Sequence, residues 1–157
     1  LAITDSAALQ PSWQPHFFYE PHLREGTIRQ SFDVWFDRNA QFFTEWRDAG
    51  DYPGNVGPGV SFHGNGDVGA AGRRLAQVPP ETWLHVEIEA TLGKDAPRTF
   101  RLTLQAAGGE RQTFLALPIS GSDFRELHWL GFSSTAAADT AFYLDNVRFS
   151  PVTTCDR

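Results

Sequence analysis

Residues Ala141–Ser150, AFYLDNVRFS, decide the fold class. Phe142, Tyr143, Leu144, Val147 and Phe149 are strand formers, and the segment reads as the closing strand of a β-sandwich. Asp145 and Asn146 break the apolar run near its middle. Polar groups inside a strand need partners, because a buried unpaired one costs about 1–3 kcal/mol. Backbone N–H groups of a neighbouring strand would serve, and so would a metal ion. The residues after this strand carry no further pattern. The reading therefore takes 1–150 as one β-sandwich domain and 151–157 as a tail.

The same alternation recurs upstream. Thr27–Asp37 (TIRQSFDVWFD) puts Ile28, Phe32, Val34 and Phe36 on one face, with Gln30 the exception. Thr27, Arg29, Ser31, Asp33, Trp35 and Asp37 fall on the other. A period of two sustained this long marks a half-buried strand. Gln41–Asp48 separates Phe43, Glu45 and Arg47 from Phe42, Thr44, Trp46 and Asp48. Trp83–Ala90 sets Leu84, Val86 and Ile88 against Trp83, His85, Glu87 and Glu89, and Phe100–Ala106 repeats the pattern. Shorter strands are expected at Leu1–Asp5, His16–Tyr19, Val60–His63, Val68–Ala71, Gln112–Leu117 and Leu127–Ser133. Gly64-Asn65-Gly66-Asp67 is a hairpin turn, and Ala49–Pro58 and Gly72–Pro80 read as loops. About ten short strands with no long 3.6-residue period predict an all-β jelly-roll sandwich of two antiparallel sheets.

A length of 157 residues suits one core. The net charge of −6 argues against a nucleic-acid partner and disfavours anionic polymers unless a local basic patch binds them. The single cysteine, Cys155, makes no internal disulfide and reads as an incidental thiol. No apolar run is long enough to cross a membrane. The chain contains no Met and starts abruptly at Leu-Ala-Ile-Thr-Asp. It is therefore expected to be a piece of a longer protein that lacks one or two upstream strands and has neighbouring domains.

With the apolar sides packed inward, Asp33 with Trp35, Glu45 with Arg47, and His85 with Glu87 project outward. Aromatic faces stack on the C–H side of a sugar ring while charged groups take its hydroxyls, and Trp13 and Tyr52 could add stacking from flanking loops. The same residues would serve equally as cross-strand ion pairs. Glycoside hydrolysis needs two carboxylates flanking a bond at about 5–9 Å. Glu45, Glu87 or His85 would supply acid and base if they converged, but no motif spacing supports this and no catalytic residue is assigned. The five histidines are scattered without HxxxH or HExxH spacing, which argues against zinc. Calcium fits better, with Asp145 as ligand and Asp5 as its partner if the first and last strands pair.

Several segments together carry a family resemblance: EGTIRQSFDVWF, FFTEWRDAGDYPGNVGPGVSF, PPETWLHVEIEATLG, RELHWLGFSSTA and FYLDNVRF. The chain resembles the concanavalin A-like jelly-roll modules of large secreted bacterial proteins, many of them polysaccharide-degrading. Its ending is similar to that of many carbohydrate-binding β-sandwich modules, including galactose-binding-like ones. The resemblance implies a non-catalytic carbohydrate-binding or accessory domain, located outside the cell or at its surface, with a polysaccharide or oligosaccharide as partner. Two alternatives stand beside it: a small jelly-roll glycoside hydrolase or polysaccharide lyase, and a structural assembly domain.

Overall fold

The computed structural model describes residues 1–152; the Cys155 thiol and most of the expected tail lie outside the described residues. Twelve strands form. They are β1 (Ala2–Asp5), β2 (His16–Tyr19), β3 (Gly26–Phe36), β4 (Gln41–Arg47), β5 (Val56–His63) and β6 (Asp67–Ala70), then β7 (Arg73–Gln77), β8 (Leu84–Leu92), β9 (Thr99–Ala106), β10 (Arg111–Pro118), β11 (Trp129–Ser134) and β12 (Thr140–Pro151). They build two six-stranded antiparallel sheets, ordered β1-β12-β3-β8-β9-β10 (sheet I) and β2-β11-β4-β5-β6-β7 (sheet II). The expected all-β jelly-roll sandwich is what forms.

The alternating strands explain the layering. Ile28, Phe32, Val34 and Phe36 of β3 and Leu84, Val86 and Ile88 of β8 are buried, as are Phe42 and Trp46 of β4 and Phe62 of β5. Rings from the two sheets meet directly: Phe42 stacks on Phe142 at 4.1 Å, and Phe32 meets Phe132 edge-on at 4.9 Å. Gln30, the polar exception, is fully buried on this inward face. Its Nε2 donates to Thr44 Oγ1 (3.1 Å) and its Oε1 accepts from the Trp46 indole (2.6 Å); Thr44 donates onward to the Gly131 carbonyl (2.9 Å).

Two regions read as loops are strands. β5 begins at Val56 rather than Val60, and β7 occupies part of Gly72–Pro80. Gly57 sits so close under the Phe124 ring that a Cβ there would overlap it, so that glycine serves packing rather than a turn. β7 escapes a periodicity reading because it is an edge strand with a register shift, and only Ala76 of its five residues is buried.

The closing strand is bulged at the polar pair. Its register against β3 shifts between Asp145 and Arg148, and Asn146 adopts a left-handed φ of 50°. Such bulges absorb an extra residue, and Asn tolerates that conformation better than most side chains. Both polar residues are exposed. Asn146 Nδ2 donates to Asp33 Oδ2 at 2.6 Å, and Asp145 Oδ1 accepts the Asn146 N–H at 2.8 Å.

Candidate active site

The eight residues read from the sequence as ligand-binding divide between opposite faces of the sandwich. Asp33, Trp35, His85 and Glu87 stand on the outer face of sheet I, where Asp33 faces His85 across β3 and β8. Glu45 and Arg47 stand on the outer face of sheet II, flanked by Trp13 and Tyr52 from loops. No single ligand pocket can use all eight.

On sheet I the charges are spent on one another. His85 Nδ1 donates to Asp33 Oδ1 at 2.6 Å, Arg111 donates to Glu87 at 2.6 Å, and Glu89 accepts from both Arg29 and Arg101 at 2.8 Å. Burial acts to raise the Asp33 carboxyl, but hydrogen bonds from Asn146 and His85 and the His85 charge outweigh it and hold the group below its usual value. Trp35 packs edge-on against Tyr143 at 5.5 Å. This face is a cross-strand ion-pair network.

The proposed calcium pair does not meet. Asp5 lies opposite Thr140, five positions from Asp145 along β12, or roughly 17 Å at strand rise. The Asp5 carboxylate is buried and accepts from Ser134 Oγ (2.6 Å), the Ala136 N–H (3.1 Å) and the Ser6 N–H (2.7 Å). It anchors β1 to the end of β11.

Sheet II is different. Its strand pairings align His16, Ser133, Phe43, Ser61, Gly69 and Arg74 in one cross-strand row on the outer face. Two clefts adjoin along it, sharing Phe43: one of about 450 Å³ and one of about 410 Å³. The first is lined by Trp13, His16, Arg47, Tyr52, Trp129 and Ser133 around Phe43. The second holds Glu45, Ser61, His63, Asp67, Arg73 and Arg74.

In the first cleft Arg47 is fixed on two sides. Its guanidinium pairs with the Glu45 carboxylate and lies over the Trp129 ring at 4.4 Å, with Tyr52 at 5.4 Å. A cation held against an indole and a largely buried carboxylate loses little freedom on taking an anionic ligand. Gly131 makes room for the indole, since a Cβ there would collide with the Trp129 ring. Trp129 in turn stacks on Phe18 (5.8 Å), and Phe18 on His16 (5.6 Å). The ring of His16 has a defined tautomer when neutral. Its Nδ1 bonds the Gln14 carbonyl oxygen at 2.7 Å, and that oxygen only accepts, so the proton sits on Nδ1 and Nε2 keeps its lone pair. The described residues lining this cleft include no carboxylate.

No family model matches the chain. No curated protein matches it either. Solved structures do match. The chain has a lectin-like jelly-roll fold. It is similar to the PL-14 alginate lyase from Aplysia kurodai at 12% identity and a TM-score of 0.56, covering 97% of this chain and 98% of that one. It is similar to the endo-beta-1,4-glucuronan lyase of the fungus Trichoderma reesei at 10% identity and a TM-score of 0.58, covering 96% and 80%. Peanut lectin matches at 10% identity and a TM-score of 0.53, covering 98% and 99%. At these identities the likeness establishes the fold. It also corrects the leading sequence reading. Two of these structures are lyases sharing the architecture over nearly the whole chain, so the fold does not single out the non-catalytic binding module that the sequence put first.

Of the residues named from sequence, the structure brings Arg47, Trp13 and Tyr52 together in this cleft with Glu45 paired to Arg47; His16, Phe43 and Trp129, which also line it, were not named. Trp129 was legible as part of a strand, WLGFS, but only the pairing of β11 with β4 puts it on Arg47.

Proposed function

We propose that this chain is a small polysaccharide lyase acting on uronate-containing polymers by β-elimination in the first cleft of sheet II. One observation carries the reading: the cleft presents a fixed guanidinium, a phenol and an imidazole with a free Nε2, flanked by two indoles and without a carboxylate. Hydrolysis by a carboxylate pair has no residues to use there. Elimination next to a uronate carboxylate has what it needs. The lyase neighbours, named for alginate and glucuronan, support the same class.

In this mechanism Arg47 binds the C6 carboxylate and stabilises the charge that develops on it as C5 loses its proton. Glu45 positions Arg47. His16 Nε2 takes the C5 proton, the C5–H electron pair forms the C4=C5 double bond, and the C4–O4 bond breaks. The Tyr52 phenol gives its proton to the departing O4, and solvent returns the two side chains to their starting states. Trp13 and Trp129 stack on the sugar faces. Polymeric uronates belong to extracellular matrices, so the reading carries an extracellular or cell-surface location with it.

The test is turnover of alginate and of β-1,4-glucuronan, followed by ultraviolet absorbance of the conjugated 4,5-unsaturated product and, in parallel, by reducing ends. Both signals should rise together, and Arg47→Ala and His16→Ala should abolish them while the fold persists. Reducing ends without absorbance would mean hydrolysis. No turnover on any polyuronate would sink the proposal.

A further inference from the structure

We propose a divalent-metal site behind the cleft, formed by His128, Glu126 and Asp48, that clamps the end of β4 to the start of β11. The His128 Nε2 lies 3.2 Å from Glu126 Oε2 and 3.7 Å from Asp48 Oδ1. These three donor atoms all fall within 4.8 Å of one another, and all three residues are partly buried. A tetrahedral cation with metal–ligand distances of about 2.0–2.2 Å needs donors about 3.3–3.6 Å apart, so small side-chain shifts would close this set on an ion.

Three features favour a cation over chance crowding. Both carboxylate oxygens are acceptors, and the exposed Arg24 guanidinium reaches Glu126 Oε2 from outside at 3.8 Å, so a proton on Nε2 or a metal is still needed between the three atoms. The far side of the His128 ring is already engaged: its Nδ1 meets His22 Nδ1 at 3.3 Å. With the proton on His128 Nδ1, His22 accepts it and the Nε2 lone pair turns toward the carboxylates, which is how metal-bound histidines are commonly oriented. Finally, Asp48 is held in place independently. Its Oδ2 accepts the backbone N–H groups of Arg125 (2.7 Å) and Glu126 (2.8 Å), and its Oδ1 accepts the Ala49 N–H (2.6 Å) while a second lone pair of that oxygen faces the cluster.

A mixed donor set of one imidazole and two carboxylates selects a borderline ion such as Zn²⁺ or Co²⁺ over Ca²⁺ or Mg²⁺. The scattered histidine spacing gave no hint of this, because His22, Asp48 and His128 come from three separate segments. The position gives the site a purpose. Asp48 follows Arg47 directly and His128 precedes Trp129, while the His128 N–H donates to the Arg47 carbonyl at 2.9 Å. A metal here braces the two strand ends that carry the Arg47–Trp129 stack. It takes no part in the chemistry, and the inference does not depend on the lyase reading.

The experiment uses the whole chain with Cys155→Ser, which removes its one thiol. After chelation, Zn²⁺ at about 100-fold excess over its dissociation constant should raise the melting temperature by about 5–10 °C. Titration calorimetry should give one site. Histidine imidazole nitrogen resonances should show the His128 Nε2 signal shifting while that of His63 stays. His128→Gln with Glu126→Gln should remove the shift, and His63→Ala should keep it. Absence of binding, or zinc bound with the His128 signal unmoved or the double variant still responding, would overturn the proposal.

Discussion

Replacing Gln30 with Leu should destabilise the protein although it makes the core more apolar. Gln30 is fully buried between the sheets, where its Oε1 is the acceptor for the Trp46 indole N–H at 2.6 Å and its Nε2 donates to Thr44 at 3.1 Å. Leucine is close to glutamine in volume, so no large cavity forms. What changes is that a fully buried indole N–H loses its acceptor, a loss of about 1–3 kcal/mol. Thr44 keeps its bond to the Gly131 carbonyl but loses a donor, a smaller term. The added apolar surface offsets part of this. The net expectation is about 1–2 kcal/mol, or a urea midpoint lowered by about 0.5–1 M at a slope near 2 kcal/mol/M. Trp46→Phe in the Gln30→Leu background removes the orphaned donor, so the two substitutions should couple by about 1 kcal/mol or more in a double-mutant cycle. An unchanged midpoint for Gln30→Leu would refute the reasoning, since it would mean that the indole finds another acceptor. The network also bears on the cleft, because Thr44 and Trp46 are the inward neighbours of Glu45 and Arg47 on the same strand.

Other predictions follow from the same geometry. Arg47→Lys keeps the charge but loses the planar stack on Trp129, and kcat/KM on a polyuronate should fall about 100-fold or more, with melting temperature nearly unchanged. Gly131→Ala should displace the Trp129 ring, which would appear as altered indole fluorescence and a raised KM. The third concerns acid. Burial acts to raise the Asp37 carboxyl, but hydrogen bonds from Thr140 and the Ala141, Asn39 and Ala40 N–H groups more than offset it and hold the group below its ordinary 3.8. A lowered folded value stabilises the protein above the unfolded one and is lost as pH falls through the folded value. Asp37→Asn should therefore be less stable than the parent by a constant margin between pH 7 and about pH 5, and the margin should shrink below about pH 4. A margin that grows on acidification would contradict the assignment.

The fold was legible because β3, β4, β8 and β9 alternate, with Gln30 and Thr44 as polar exceptions on the inward face, and inward placement of Phe32, Phe42, Val86 and Leu102 follows from period alone. The site was legible only by face. Alternation says that Asp33 and Glu45 both point outward, but not that their strands belong to different sheets, and so a set that looked like one groove is two surfaces. Sheet membership depends on chain crossings that local pattern does not record. The polar exceptions carried more information than their number suggests. Gln30 inside an apolar face marks the buried bond to Trp46, and Asp145-Asn146 in the last strand marks a bulge. Sequence left the partner of Asp145 open between backbone and metal. What the structure places there is the neighbouring Asn146 N–H, on the solvent side where burial makes no demand.

Net charge is a poor guide to this cleft, and ionic strength can expose why. A protein at −6 repels a polyuronate at long range, while Arg47 at the cleft attracts it at short range. The two effects respond differently to salt. The Debye length is about 30 Å at 0.01 M and about 10 Å at 0.1 M, so modest salt removes the long-range repulsion and leaves contact-distance attraction in place. Higher salt then weakens the contacts themselves. The rate of the proposed elimination at subsaturating polymer should accordingly rise from about 0.01 M to about 0.1 M salt and fall beyond it. Reversing charge at the turn between β9 and β10 of the other sheet, for example Glu110→Lys, should flatten the rising limb and leave the falling one. A rate that falls monotonically from the lowest salt in the parent protein would show that attraction dominates at every distance, and the account of how an acidic chain admits an anionic polymer would have to be abandoned.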